Sequence, residues 1–107
     1  MQIRFVFRHM DPSKTLREYT EKKVGRLDKL STKIIDVQAT FVQEKADTIV
    51  ELRANFQGHT AKALERDNDP YAAIDLVIDK FERQVLRILA RARENRHETI
   101  QPEYQPE

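Results

Sequence analysis

The segment from Pro70 to about Arg96 carries one apolar stripe of helical period. Its apolar residues recur at steps of three and four: Ile74, Val77, Ile78, Phe81, Val85, Ile88 and Leu89. At about 100° per residue these positions fall on one side of an α-helix, which would be ~40 Å long at about 1.5 Å per residue. A helix with a single apolar side must bury that side against another element. The rest of the chain therefore has to supply a second layer with an apolar face.

The segments before this helix supply that layer as strands, because their apolar residues alternate with a period of two. Four segments show the alternation: residues 2–8, 34–43, 48–57 and, more weakly, 59–66. Asp11-Pro12 reads as the N-cap and first residue of a helix, and it predicts a first helix that runs to about Leu30. Asp69-Pro70 starts the last helix in the same way. The order β-α-β-β-β-α predicts an α+β fold, with a four-stranded, antiparallel-rich sheet and both helices packed on one face. The pattern does not show which strand pairs with the first one.

A chain of 107 residues is expected to form one domain with a modest core. We place this domain at residues 1–97. Residues 98–107 contain two prolines and no apolar pattern, which predicts a disordered tail.

Cysteine is absent, which excludes a disulfide framework and fits a reducing compartment. No apolar run approaches the ~20 residues of a bilayer span, and the first residues read as a strand rather than a signal peptide. The expectation is a cytoplasmic protein without membrane contact, monomeric in isolation.

Residues that could carry catalysis are sparse. The three histidines do not stand at metal-ligand spacing, and two glycines cannot build a glycine-rich phosphate loop. Ser13 lies at a helix start, where capping explains it better than nucleophilicity. Asp75 and Asp79 are more simply a solvated acidic face than a metal site. We therefore expect no enzyme, no cofactor and no metal site.

The formal net charge of +1 conceals an uneven distribution. Residues 14–33 hold seven basic and three acidic residues, and residues 80–96 hold six and two. Both predicted helices are therefore basic, and the remainder of the chain carries a net charge of −7. Since local potential steers a charged partner more than mean charge does, the helices are the expected contact surface.

Within both helices the charges are sorted by side. The last helix has a basic ridge, formed by Lys80, Arg83, Arg87 and Arg91, and an acidic ridge, formed by Asp75, Asp79 and Glu82. In the first helix Lys22, Arg26, Lys29 and Lys33 share an arc of roughly 60° that Lys23 borders. A helix that needs only solubility usually mixes its signs to gain i,i+4 pairs.

With both helices on one sheet face, their basic sides are predicted to lie next to each other across the groove between the helices. Such a surface would bind phosphate, for which the planar arginine fork is well suited. The predicted set is Lys22, Lys23, Arg26, Lys29, Lys80, Arg83, Arg87 and Arg91. Lys14, Arg17 and Arg93 read as ordinary solvated residues.

Comparison with two known kinds of RNA-binding domain shows how the predicted surface differs from theirs. The phenylalanines occupy inward positions, which favours core packing over base stacking and disfavours a single-strand reader with an open aromatic sheet. The double-stranded RNA-binding domain shares the order α-β-β-β-α, but its lysine cluster lies at the start of the last helix, where this chain is acidic and apolar. The scaffold is thus similar and the contact surface different. A protein-binding regulator that uses the acidic ridge or the outer sheet face, and a general duplex-RNA-binding module, stay open as alternatives.

Residues 69–85 (DPYAAIDLVIDKFERQV) resemble the hallmark of the ribosome hibernation-promoting factors. That family includes the ribosome-associated inhibitor protein Y and was once labelled a sigma-54 modulator. The YAAID, IDK and ERQ elements are its specific part, and residues 16–19 and 23–30 also resemble the family's first helix. The resemblance covers residues 1–95, and the short form of the family is the nearer match by length.

The resemblance implies a protein that binds the small ribosomal subunit at the decoding region, where it would overlap messenger RNA and the A- and P-site transfer RNAs. Translation would stop in idle or stressed cells. The partner would be 16S ribosomal RNA, together with neighbouring ribosomal proteins. Family positions that face this RNA match Lys23, Arg26, Lys29, Lys80, Arg83, Arg87 and Arg91, whereas Lys22 rests on its periodicity alone. The short C-terminus leaves open whether the protein promotes or prevents ribosome dimers.

Overall fold

The computed structural model describes residues 2–29, 36–56 and 58–95, and it confirms the predicted element order. The elements are β1 (Gln2–Arg8), α1 (Lys14–Val24), a short 3₁₀ helix (Gly25–Lys29), β2 (Asp36–Glu44), β3 (Asp47–Phe56), β4 (His59–Asp67) and α2 (Pro70–Asn95). The predicted domain boundary at residue 97 and the predicted tail at 98–107 lie outside the described residues.

The four strands form one mixed sheet in the order β1-β2-β3-β4. β1 pairs with β2 in parallel, and the other neighbouring pairs are antiparallel. Parallel neighbours need a long crossover, and α1 lies in that connection. The antiparallel pair β3 and β4 is joined by a tight turn at Gly58, whose φ of 75° suits glycine. The partner of β1, which the sequence pattern left open, is therefore β2.

The strand register brings the apolar side chains of all four strands to one face of the sheet. One cross-strand row consists of Phe5, Ala39, Leu52 and Ala63. The two central members of this row are fully buried. Because side chains alternate along a strand, the residues between these positions lie on the other, outer face.

Both helices pack on the apolar face, as predicted. α2 crosses β3 and β4, and its side chains Val77, Phe81 and Val85 are fully buried. Complete burial of a side chain such as Phe81 contributes about 1.5–3 kcal/mol. Leu16 and Val24 of α1 join the same core. Among the described residues, no helix combines the length and the apolar character that a bilayer crossing needs.

The helix starts differ in how well the sequence located them. α1 begins at Lys14, and its N-cap is Ser13, whose Oγ accepts a hydrogen bond from the Leu16 N–H at 3.2 Å. The prediction that Asp11 caps this helix is wrong, because the chain is still extended at Ser13, whereas the capping role expected for Ser13 is confirmed. At α2 the Asp69 carboxylate accepts from the Tyr71 N–H at 2.9 Å, as the Asp-Pro signal indicates.

Candidate nucleic-acid interface

α2 separates its charges onto two flanks, and each flank lines a different cleft. The acidic ridge faces α1 across a cleft that we call the inter-helix cleft. Its charged residues are Lys23, Arg26, Asp75, Asp79 and Glu82. The basic ridge faces the edge of the sheet across a second cleft, the α2–β4 cleft. Its polar residues are Lys62, Lys80, Arg83, Gln84 and Arg87. The buried stripe of α2 lies between the two ridges.

This arrangement contradicts the prediction that the basic sides of the two helices meet across the groove between them. The ridge opposite α1 is the acidic one, and Lys23 Nζ lies 3.6 Å from Asp75 Oδ1. Periodicity fixes the angle between the two ridges of α2. It does not fix which ridge faces α1, because that depends on the direction in which α2 crosses the sheet.

A cluster of polar contacts fastens α1 to α2, and we call it the inter-helix latch. The Tyr19 hydroxyl donates to Asp75 Oδ1 at 2.7 Å. The Tyr71 hydroxyl and Thr15 Oγ1 are hydrogen-bonded at 3.1 Å, and the two tyrosine rings meet edge to face with centroids 5.0 Å apart. Lys23 Nζ lies over the Tyr19 ring at 5.3 Å. The latch therefore consists of Thr15, Tyr19, Lys23, Tyr71 and Asp75.

The latch changes the interpretation of Lys23. The hydrogen bond to Asp75 raises the pKa of the Tyr19 hydroxyl above its usual value, since an ionised tyrosine would face a carboxylate. Lys23 lowers the same pKa through its positive charge. Its ammonium thus already has an anionic and an aromatic partner within the protein, and only 25% of its side chain is exposed.

Lys80 and Gln84 bind the exposed edge of β4. Lys80 Nζ lies 2.8 Å from Glu65 Oε2 and donates to the Leu64 carbonyl at 3.2 Å. The Gln84 amide accepts from the Lys62 N–H at 2.8 Å and donates to the Lys62 carbonyl at 2.6 Å. These side chains satisfy backbone groups that an edge strand would otherwise present to other chains. Lys80 is therefore held in place, and a carboxylate compensates its charge.

The open part of the basic ridge consists of Arg83, Arg87 and Arg91. All three are exposed, and no carboxylate among the described side chains lies within 4.0 Å of their guanidinium groups. Like charges at i,i+4 on a helix repel by roughly 0.2–0.5 kcal/mol per pair. This surface thus presents uncompensated positive charge in the fork geometry that matches phosphate oxygens.

The predicted cations of the first helix lie apart from this surface. Arg26 is exposed and lines the inter-helix cleft opposite the acidic ridge. Lys22 is exposed, and no carboxylate among the described side chains pairs with it. Lys29 ends the 3₁₀ helix, and its side chain lies outside the described part of the chain. The acidic ridge therefore stands between the two groups of cations.

The structure adds Lys62 to the candidate surface, which the sequence analysis missed. Its side chain is 55% exposed and lies 3.3 Å from Glu51. Alternation with the buried Ala61 and Ala63 could have placed Lys62 on the outer face. That β4 is an edge strand beside the basic ridge follows only from the tertiary structure.

Comparisons with known proteins agree with this fold. The family model described as "Sigma 54 modulation protein / S30EA ribosomal protein" matches residues 3–93. A protein from Azotobacter vinelandii named "Ribosome hibernation promoting factor" is 33% identical over 87 residues, which cover 81% of this chain and 81% of that protein.

Two solved structures share the architecture. A ribosomal subunit interface protein from Coxiella burnetii has a TM-score of 0.79 and 31% identity, over 84% of this chain and 99% of that one. The N-terminal domain of Thermus thermophilus Protein Y has a TM-score of 0.75 and 28% identity, over 82% of this chain and 99% of that one. The resemblance noted in the sequence is thereby confirmed, and the chain belongs to the Sigma 54 modulation protein / S30EA ribosomal protein family.

Proposed function

We propose that this protein is a ribosome hibernation factor, which binds the small ribosomal subunit at the decoding region and blocks translation sterically in idle or stressed cells. Support comes from a relative named ribosome hibernation promoting factor and from a structural neighbour described as a ribosomal subunit interface protein. The finer part of the proposal is that the contact is made to 16S ribosomal RNA at the A and P sites. Such a role needs neither catalysis nor a cofactor, and it would place the protein on cytoplasmic ribosomes.

The observation that carries the proposal is the uncompensated row Arg83, Arg87 and Arg91 on α2. One helical turn spans ~5.4 Å, so the three guanidinium groups form an extended cationic strip beside the α2–β4 cleft. Lys62 lines the same cleft. A nucleic-acid backbone supplies repeated phosphates, and contacts to phosphate dominate the affinity of most RNA-binding and DNA-binding proteins.

The predicted residues take different roles in this proposal. Arg83, Arg87 and Arg91 would make the principal phosphate contacts, and Lys22 and Arg26 would make a second, separate contact from α1. Lys23 and Lys80 are expected to act mainly on the structure, because each already has a carboxylate partner. A role for Lys29 stays a prediction from the sequence.

The test is charge reversal in the open part of the basic ridge. We expect Arg83→Glu with Arg87→Glu to abolish co-sedimentation with purified small ribosomal subunits, since four units of charge change at the proposed contact. Wild-type binding should also weaken steeply as salt rises, because phosphate contacts release counterions. Circular dichroism and a thermal melt would establish that the double variant is folded.

A matched control exists on α1. Lys14→Glu with Arg17→Glu changes the net charge equally, at two positions outside the proposed surface. This control should retain most of the binding. If the Arg83 and Arg87 variant co-sediments as the wild type does, the contact through the basic ridge is disproved.

The structure bears differently on the two alternatives. Capture of a basic protein by the acidic ridge would depend on Asp79 and Glu82, because Asp75 is already bonded to Tyr19 and Lys23. A general duplex-RNA-binding module would bind an arbitrary RNA duplex as tightly as it binds small subunits. We expect a clear preference for the subunits when the two affinities are measured in the same buffer.

A further inference from the structure

The outer face of the sheet carries a row of basic side chains that crosses all four strands. The register aligns Arg4 of β1, Gln38 of β2, Arg53 of β3 and Lys62 of β4. At about 4.8 Å between neighbouring strands, this row is ~14 Å long. The three basic residues are exposed, and both helices pack on the opposite face of the sheet. We call this set the outer-face row.

The positive charge of the outer-face row is only partly compensated. Arg53 stands directly opposite Lys62, and like charges in a directly opposed antiparallel pair are destabilising. Glu51 pairs with Lys62 at 3.3 Å. No carboxylate among the described side chains lies within 4.0 Å of the guanidinium groups of Arg4 and Arg53.

Another arginine on the same face shows the contrast. Arg66 lies two residues from Leu64 along β4 and is bound by two carboxylates, Glu44 at 2.9 Å and Asp47 at 3.1 Å. The outer face therefore contains an arginine that serves the fold through ion pairs. Arg4 and Arg53 have no such partner in the described part of the protein, so local ion pairing does not account for their alignment.

The outer-face row continues the basic ridge of α2. Lys62 lines the α2–β4 cleft together with Arg83 and Arg87, and it is also the end member of the outer-face row. Basic residues thus run from α2 around the β4 edge and onto the outer face, and Lys62, which is paired with Glu51, connects the two parts.

We propose that Arg4 and Arg53 form a second phosphate-binding surface, which holds a segment of RNA backbone against the outer face of the sheet. Lys62, whose charge Glu51 already compensates, borders this surface at the β4 edge. The inference rests on the proposed function, because the RNA that this surface would contact is ribosomal RNA. The outward strand positions hold no aromatic residue, so the surface lacks base-stacking rings and reads the backbone rather than the bases. Gln38 adds an amide that can bond phosphate or ribose oxygens.

The first test compares two single substitutions on the same face, Arg53→Gln and Arg66→Gln, with the full chain and purified small ribosomal subunits. Each removes one positive charge. The plot of log affinity against log salt has a negative slope, and we expect Arg53→Gln to make it less steep by about 0.7–0.9, the contribution of one phosphate contact. Arg66→Gln should leave the slope unchanged. Arg4→Gln with Arg53→Gln should make the slope less steep by roughly twice as much. An unaltered slope in the double variant overturns the inference.

The second test identifies the molecule in contact. A photo-crosslinking amino acid at position 53 of the otherwise intact chain should attach to ribosomal RNA on bound subunits. Attachment to a ribosomal protein instead would disprove an RNA-binding role for this face.

The two proposals can fail separately. Loss of binding in the Arg83 and Arg87 charge-reversal variant, together with a normal slope in the Arg4 and Arg53 variant, would leave the proposed function standing and remove the second surface. If the wild-type protein does not bind small subunits at all, both proposals are wrong.

Discussion

The two flanks of α2 belong to one helix and carry opposite charge, but their charged side chains differ in the partners that they have within the protein. On the acidic flank, Asp75 is bonded to Tyr19 and Lys23 of α1. On the basic flank, Arg83 and Arg87 have no carboxylate partner among the described side chains. Charge sorting along a helix therefore does not by itself identify a binding surface. What distinguishes Asp75 from Arg83 and Arg87 is that a neighbouring element already compensates its charge.

The basic flank shows the same distinction within itself. Lys80 is paired with Glu65 and bonded to the Leu64 carbonyl, whereas the arginines one and two turns further along are open. Gln84 lies between these two arginines in the sequence and binds the β4 backbone. The ridge thus passes from side chains that support the fold to side chains available for a partner.

The largest expected effect is a loss of affinity for small subunits, and it compares the open arginines with the paired Lys80. Arg83→Ala with Arg87→Ala should weaken binding to small subunits by roughly 100-fold, since each charge-assisted hydrogen bond contributes about 1.5 kcal/mol or more. Lys80→Ala should weaken binding far less, because its charge is already compensated. Affinities measured by titration of labelled protein would check both values. An equal loss in Lys80→Ala would show that the ion pair with Glu65 opens on binding.

The acidic flank should respond in stability rather than in binding. Asp75→Ala removes the acceptor of the Tyr19 hydroxyl and the partner of Lys23, and we expect the free energy of unfolding to fall by about 1–2 kcal/mol. Urea denaturation would measure this loss. Asp75→Asn retains an acceptor for Tyr19 and should lose less. If Asp75→Ala weakens subunit binding as strongly as the arginine variant while remaining folded, the proposed division between the flanks is wrong.

A smaller stability effect is expected at the β4 edge. Gln84→Ala leaves the N–H and carbonyl of Lys62 without their side-chain partner, but water can replace it at this exposed position. We expect a loss of roughly 0.5–1.5 kcal/mol, the usual net contribution of a hydrogen bond. Gln84→Glu can accept from the N–H but cannot donate to the carbonyl, so its midpoint in urea should lie between those of the wild type and Gln84→Ala.

Most of the fold could be predicted from the sequence, because the two hydrophobic periods are unambiguous. Alternation located the strands, and the stripe containing Phe81 and Val85 located α2 and its buried side. The position of β1 could not be read, because alternation places a side chain on a face and says nothing about the neighbouring strand. The start of α1 was misplaced because both Asp11 and Ser13 are residues that favour an N-cap.

The candidate site was predictable only in part. The sequence identified Arg83 and Arg87 from their spacing, and the structure leaves both open. It assigned Lys23 and Lys80 to the same surface, but their carboxylate partners, Asp75 and Glu65, lie on other elements and cannot be inferred from helical spacing. Lys62 was missed for the same reason, since its closeness to α2 follows from tertiary packing alone.

The smallest expected effect concerns the pH dependence of the inter-helix latch. The pKa of Tyr19 is raised in the folded protein, chiefly by its hydrogen bond to Asp75. The unfolded chain therefore releases this proton first, near the usual tyrosine pKa of about 10. The stabilising contribution of Tyr19 is complete below that pH and is lost as pH rises through the higher pKa of the folded state.

Urea denaturation of the wild type and of Tyr19→Phe between about pH 8 and about pH 11 isolates this contribution, because the two proteins differ only in the Tyr19 hydroxyl. The stability difference between them should shrink as pH rises above about 10. Asp75→Asn should remove most of this pH dependence, since a neutral amide does not oppose ionisation of the phenol as a carboxylate does. A wild-type and Tyr19→Phe difference that stays constant over the whole range would contradict a hydrogen bond between Tyr19 and Asp75 in solution. It would also leave Lys23 as the one partner that the described contacts give to Asp75.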